Sequence, residues 1–284
     1  ICREGDEVII PAPYWLSYPE MVNIAGGVPV PVFCSEENDY KLTPAQLESA
    51  CSEKTKALIL NSPSNPIGVV YSREEIKALA ECAVEKGIYL VSDEIYEDIV
   101  YDGAEHVSPG SLSREILAQT VTVNGFSKAY AMTGWRLGYL AAPEQISRAV
   151  SALQSHSASG PNTFAQFGAL AALRGGRDCV DRMVKAFSER RKFMFERLSS
   201  VDGISCVKPM GAFYMLPNIS GSGLDSLAFA ERLLDEEGVA VVPGKPCGAD
   251  DNVRLSYACS MENISAALDR FERFFHSCRL RKGD

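Results

Sequence analysis

Long apolar runs are missing from this sequence. Stretches such as Ala57–Leu60 and Ala240–Pro243 have strand length, whereas a bilayer-crossing helix needs roughly 18 or more apolar residues in a row, so no membrane role is expected. Basic residues are also in deficit, with 28 Lys and Arg against 37 Asp and Glu and a formal net charge of −9. Without a Lys/Arg stripe to meet phosphates, no nucleic-acid partner is expected. The one basic cluster, Arg279-Leu280-Arg281-Lys282, reads as a solvated tail. The nine cysteines are odd in number, scattered and without a C-x-x-C pair, which argues against a disulfide framework or a zinc site and fits reduced cytoplasmic thiols. The only histidines, His106, His156 and His276, lack metal-ligand spacing and acidic neighbours at useful intervals, so no metal is expected.

What is present suffices for a substantial core: 46% of the 284 residues are hydrophobic, enough for one large or two modest domains. The chain opens on Ile1 rather than Met and passes straight toward a strand, which reads as a missing N-terminal portion. Apolar segments Glu7–Ile10, Val28–Phe33, Ala57–Leu60, Tyr89–Ser92, Thr120–Val123 and Leu137–Ala141 are expected to be strands. Helices fall between several of them. Ser72 with Glu75 forms a capping box ahead of the stripe Ile76, Leu79, Ala80, Ala83, and Thr43-Pro44 opens another helix.

Alternation of this kind predicts an α/β fold, a three-layer α/β/α arrangement around a mostly parallel sheet, with ligands bound beyond the carboxyl ends of the strands. Long helices follow at Gln145–Gln154, Thr163–Arg174 and Asp178–Ser199. Short strands at Ala212–Leu216, Val239–Val242 and Val253–Tyr257 then alternate with helices at Leu224–Glu236 and Met261–Ser277. That pattern predicts a smaller C-terminal α+β domain, with the large domain over 1–188 and the small one over 189–284.

Chemistry concentrates in Gly125-Phe126-Ser127-Lys128-Ala129-Tyr130-Ala131-Met132-Thr133-Gly134-Trp135-Arg136-Leu137-Gly138, a turn between two expected strands. Read alone, Lys128 is a solvated loop lysine. Asp93, in Val91-Ser92-Asp93-Glu94-Ile95-Tyr96, is a carboxylate at a strand end; Asn65-Pro66-Ile67-Gly68 is turn chemistry; Trp15, in Pro13-Tyr14-Trp15, fits core packing as well as a binding face. Arg254, inside the apolar strand Asn252–Tyr257, is costly unless paired, and this points to function.

Together these motifs, in this order and over nearly the whole chain, resemble the class I/II pyridoxal-phosphate (PLP) aminotransferases of fold type I. The wording Pro-Tyr-Trp-x-Ser-Tyr-Pro-Glu-Met with Met-Thr-Gly-Trp-Arg-x-Gly is most similar to the bacterial aspartate aminotransferases of the prokaryotic subgroup. The resemblance implies that Lys128 holds PLP as a Schiff base and that Arg136, eight positions on, grips its phosphate. It also implies that Asp93 pairs with the pyridine nitrogen, that Tyr96 and Asn65 hydrogen-bond the phenolic oxygen, and that Trp15 stacks on the ring. Arg254 would clamp the substrate α-carboxylate, with Asn65 and Trp15 beside it.

Many relatives carry serine where this chain has Gly125, and Ser127 is the residue expected to compensate. Gly211-Ala212-Phe213-Tyr214 and Val242-Pro243-Gly244 are further family segments, expected to shape the substrate cleft and the mobile small domain. The partners implied are an L-amino acid, aspartate above all, a 2-oxo acid such as 2-oxoglutarate, and a second subunit in a homodimer. The missing portion would supply a glycine-rich phosphate-binding turn, an N-terminal arm and residues reaching the partner's site. Three other functions share these residues: a PLP-dependent carbon–sulfur lyase, a PLP-sensing regulator of the same fold, and an inactive piece of an aminotransferase.

Overall fold

The computed structural model describes residues 1–282. Its main sheet comprises β1 (Glu7–Ala12), β2 (Val28–Phe33), β3 (Thr55–Asn61), β4 (Tyr89–Asp93), β5 (Thr120–Gly125) and β6 (Gly138–Ala141), in the order β2-β1-β3-β4-β5-β6. The first five run parallel, and β6 is antiparallel to β5. A parallel sixth strand would need a crossover, commonly a helix; the chain between Gly125 and Gly138 instead turns back through a 3₁₀ turn at Thr133–Trp135.

Helices α1 (Ser17–Ile24), α2 (Pro44–Ala50), α3 (Arg73–Glu85) and α4 (Arg114–Leu117) connect the parallel strands. The capping box at α3 forms as its sequence requires: Ser72 Oγ accepts from the Glu75 N–H at 3.2 Å, and Glu75 Oε2 accepts from the Ser72 N–H at 2.6 Å. Thr43 and Gln46 do the same for α2. The expected stripe Ile76, Leu79, Ala80 and Ala83 is the buried face of α3. It joins Leu58, Leu60 and Leu90 of the sheet in one core cluster.

Strand register, more than strand count, fixes where a site can form. Asn61 of β3 pairs with Asp93 of β4, and Asp93 with Val123 of β5, so β3 and β4 end level with one another and β5 runs two residues further. The chain leaves β1 for β2 on one side and returns to β3 on the other, creating the switch point at which open α/β sheets bind ligands.

Next come α5 (Glu144–Ser157), α6 (Thr163–Arg174) and α7 (Asp178–Ser199). The α5 helix has no buried residue, and Phe164 and Phe167 of α6 point outward. A second, three-stranded antiparallel sheet follows, with β7 (Tyr214–Met215), β8 (Val242–Pro243) and β9 (Val253–Ser256) in the order β7-β9-β8. It packs with α8 (Ser226–Glu237) and α9 (Met261–Lys282). The strand expected over Val239–Val242 shrinks to Val242–Pro243, because Val239 is used instead as a core side chain just past the C-cap Gly238.

In this second core Phe229 sits against Phe271 and Phe274, each such burial contributing about 1.5–3 kcal/mol. The same cluster takes in Tyr96, Ile99 and Tyr101 from the loop after β4. The expected basic tail is helical as far as Lys282, and Arg279 is not merely solvated: Nη1 reaches Asp202 Oδ2 at 2.8 Å. The side chains of residues 281 and 282 lie outside the described residues. Among the described residues no helix is long and apolar enough to cross a membrane.

Candidate active site

The level strand ends open onto a cavity of about 500 Å³. Every residue that the resemblance gives a cofactor or substrate contact lines it: Trp15 after β1, Asn65 after β3, Asp93 at the tip of β4, Tyr96 beyond it, Ser127, Lys128 and Arg136 between β5 and β6, and Arg254 from β9.

Asp93 is the most firmly fixed of these groups. Tyr18 donates its hydroxyl to Oδ2 at 2.6 Å, and the Ile95 N–H donates to Oδ1 at 3.2 Å. Burial pushes the carboxyl above its ordinary pKa, and these two hydrogen bonds pull the other way. Behind it, Asn61 Nδ2 donates to the Asp93 carbonyl at 2.9 Å, while Asn61 Oδ1 accepts from the Asn65 N–H at 2.7 Å. The Asn-Pro turn is therefore tied to the same strand end.

Lys128 is half-buried, and burial, reinforced by the positive charges of Arg254 and Arg136, lowers its pKa; Asp93 opposes the shift. Its Nζ lies 5.8 Å from the ring centre of Tyr96 and 5.7 Å from that of Phe213. A lysine in such surroundings holds its proton less tightly, which favours the neutral, nucleophilic amine.

Arg254 resolves the question raised by an arginine in an apolar strand. Nη1 donates to Asn65 Oδ1 at 3.0 Å, and the guanidinium stacks 4.6 Å from the centre of the Tyr214 ring. No carboxylate among the described residues forms a salt bridge with it. The arrangement leaves a fork-shaped cation facing the cavity, suited to a carboxylate ligand. Accepting at Oδ1 leaves the Asn65 amide N–H groups as donors. Tyr96, pushed up in pKa by burial, donates to Tyr214 Oη at 3.1 Å.

Arg136 is exposed at the rim, in the left-handed region with φ 52°, and Nη1 donates to the Thr133 carbonyl at 2.9 Å. Thr133 Oγ1 donates in turn to the Ser127 carbonyl at 3.0 Å. Arg136 and Thr133 thus form a linked part of the cavity wall together with Ser127. Gly125 stands where β5 and β6 meet: a Cβ there would lie 3.0 Å from the Leu137 carbonyl and 3.1 Å from Gly138 Cα. A serine at 125 would need the β5–β6 pairing to yield, and Ser127 instead lines the cavity.

Sequence reasoning gives no role to Tyr18 or Asn61, although both lie inside the motifs that carry the family resemblance. It also leaves His106 isolated. In space His106 Nε2 lies 3.0 Å from Oε2 of the fully buried Glu94, whose Oε1 accepts from Ser108 Oγ at 2.8 Å. Glu94, Glu97 and His106 offer ligand atoms within 4.8 Å of one another; with Glu94 already engaged on both oxygens, the cluster forms a hydrogen-bonded support beneath the strand end.

Comparison with known proteins points the same way as this geometry. The sequence pattern of the family described as Aminotransferase class I and II matches residues 1–271. The aspartate aminotransferase of Geobacillus stearothermophilus is 50% identical over 279 residues, which cover 96% of this chain and 71% of that protein. The aspartate/prephenate aminotransferase of Thermus thermophilus is 48% identical over 276 residues, covering 96% and 70%. Among solved structures, the Thermus thermophilus aspartate aminotransferase with maleate superimposes with a TM-score of 0.92 at 47% identity, covering 96% of this chain and 71% of that one. An aromatic aminotransferase from Pyrococcus horikoshii gives 0.94 at 42% identity, covering 98% and 74%.

Proposed function

The chain belongs to the class I and II aminotransferases, a family that uses PLP, and from that premise we propose that it moves the α-amino group of L-aspartate to 2-oxoglutarate in a ping-pong reaction centred on Lys128. The observation that carries the proposal is the convergence of a depressed lysine, a buried carboxylate and an arginine without a carboxylate partner on one cavity.

The residues fit the cofactor. Lys128 would hold it covalently, Asp93 would face its ring nitrogen, Trp15 its ring face, Tyr96 and Asn65 its phenolic oxygen, and Ser127 and Arg136 its phosphate. When bound, PLP supplies an electron sink for the pair left on the substrate Cα. Asp93 holds a proton at the ring nitrogen; a carboxyl destabilised by burial gains most from a cationic N–H beside it. Tyr18 keeps that carboxylate oriented.

Arg254 binds the α-carboxylate with two parallel hydrogen bonds and so sets which Cα bond faces the lysine. Lys128 Nζ, free when the incoming amine stands in its place, would take the proton from Cα as a base and deliver it as a general acid to the cofactor's C4′ carbon, which is the shift that transamination needs. Tyr214 and Phe213 shield this proton path from water. The substrates are drawn from the relatives' names, and aspartate is common to them. Prephenate as amino acceptor is the second reading, favoured by the Thermus thermophilus relative. In this reading residues 1–188 and 189–284 form the large and small domains of a cytoplasmic homodimer.

A linked assay tests the proposal. Oxaloacetate formation from aspartate that requires 2-oxoglutarate or prephenate supports it. Pyruvate release from cystathionine without any 2-oxo acid would make the protein a carbon–sulfur lyase. PLP binding with no turnover of either kind would make it a sensor or an inactive piece.

A further inference from the structure

The most unusual buried group in this protein is not in the cavity. Arg191, on α7, is fully buried. Its Nη2 donates to Asp102 Oδ2 at 2.7 Å, its Nη1 donates to the Pro209 carbonyl at 2.6 Å, and its guanidinium lies 4.6 Å from the centre of the Tyr101 ring. Lys208 also reaches Asp102 Oδ2, at 3.0 Å. A guanidinium taken wholly out of water loses solvation that an exposed partner such as Asp102 repays only in part, so stability alone does not account for an arginine here.

Position does. Asp102 lies six residues after Tyr96, and Pro209 lies five before Tyr214. Arg191 therefore grips the roots of two limbs whose tips meet in the cavity, where Tyr96 and Tyr214 share their 3.1 Å hydrogen bond. Between root and tip the limbs are laced together: Tyr101 N–H donates to the Met210 carbonyl and Ala212 N–H to the Ile99 carbonyl, both at 2.9 Å. The hydroxyls of Tyr101 and Tyr257 both donate to the Ala212 carbonyl. The loop carrying Asn65 joins the same seam, since Gly68 O accepts from both Met210 and Gly211 N–H at 2.8 Å. Its approach is so close that a Cβ on Gly211 would fall 2.5 Å from Pro63.

On the aminotransferase reading, we propose that Arg191 is a positioning residue for substrate binding: by clamping Asp102 to Pro209 it sets where Phe213 and Tyr214 stand, and so where Arg254, stacked on Tyr214, presents its fork to a carboxylate. Arg191 touches neither substrate nor cofactor. Its effect runs through the 209–214 segment, and it should appear in binding of the carboxylate rather than in the proton transfer at Lys128.

The test compares Arg191→Met and Arg191→Lys with wild type. Arg191→Met leaves Asp102 and the Pro209 carbonyl without their donor and is expected to lower the melting temperature by several degrees while raising the dissociation constant of succinate, an unreactive dicarboxylate, and the KM for aspartate about tenfold, with kcat changed less than about threefold. Arg191→Lys restores the charge but not the two-armed bridge, and is expected to leave KM raised. If Arg191→Met fails to fold, Asp102→Asn at the exposed partner takes its place, with the same direction and a smaller effect. Succinate affinity and KM within twofold of wild type in the variant that folds would overturn the proposal. A crystal structure of that variant separates this inference from the functional reading. Loss of the Tyr96–Tyr214 hydrogen bond is expected even if wild type fails to transaminate, and an unmoved contact contradicts the inference whatever the assay shows.

Discussion

Tyr18 and Asp93, 75 residues apart in sequence, meet in a 2.6 Å hydrogen bond that fastens the loop after β1 to the tip of β4. The contact does two things at once. It steadies a carboxylate that burial would otherwise push toward protonation, and it places the Trp15 loop over the cavity, with Trp15 edge-on to Tyr18 at 5.3 Å between ring centres.

Removing that hydroxyl should therefore be felt as a pH effect. In Tyr18→Phe the Asp93 pKa is expected to move further upward, because a hydrogen bond that favours the charged form is gone. The acidic limb of the kcat/KM profile should shift to higher pH, with activity at neutral pH down about tenfold. A pH–rate profile for the two proteins checks this; coincident acidic limbs would show that Tyr18 does not support Asp93.

Asp93 itself should trade stability for function. Its folded pKa lies above its unfolded value, so between the two the folded state holds the extra proton, and stability of the cofactor-free protein falls as pH rises through that window and stays lower above it. Asp93→Asn removes the penalty. The cofactor-free variant should melt higher than wild type at neutral pH, by about 2–4 °C per kcal/mol recovered, while losing at least about a hundredfold in kcat. Calorimetry beside a steady-state assay measures both.

Arg254 should act on binding. Arg254→Met is expected to raise KM for the amino acid about 10- to 150-fold, the value of a charge-assisted hydrogen bond. Arg254→Lys should recover only part, since a single ammonium cannot form two parallel bonds. Equal loss in kcat with unchanged KM would place its role in the chemical step instead.

Burial, with the same arginine reinforcing it, depresses Lys128. In the cofactor-free protein, the rate at which an amine-selective reagent modifies Lys128, followed by peptide mass mapping, should rise with pH around a midpoint below that of an ordinary lysine. In Arg254→Met the midpoint should move up toward the ordinary value, because one of the positive neighbours is gone. An unmoved midpoint would leave burial and Arg136 as the causes.

Much of this site is legible in the amino-acid sequence, though unevenly. Hydrophobic alternation locates the six strands of the main sheet, and the capping boxes at Ser72 and Thr43 form where their residues stand. The reversal of β6 is not legible, since it depends on the short return between Gly125 and Gly138 rather than on the strand's own residues. Asp93, Asn65 and Trp15 read locally as a strand end, a turn and an aromatic that fits core packing as well as a binding face; only their order along the chain, through the family resemblance, gathers them. Tyr18, Asn61 and the Glu94–His106 pair escape because their partners are set by register and loop closure, which no local spacing records. The clamp at Arg191 is hidden for the same reason, a charge inside an otherwise ordinary amphipathic helix.

The central claim is that Lys128 carries the chemistry, and one titration tests it most directly: the absorbance spectrum of the protein with PLP, with and without aspartate, beside Lys128→Ala. A band of lysine-bound cofactor is expected in the wild type, shifting on addition of aspartate, returning with 2-oxoglutarate, and absent from Lys128→Ala. The same band in Lys128→Ala, or none in the wild type, would contradict the account.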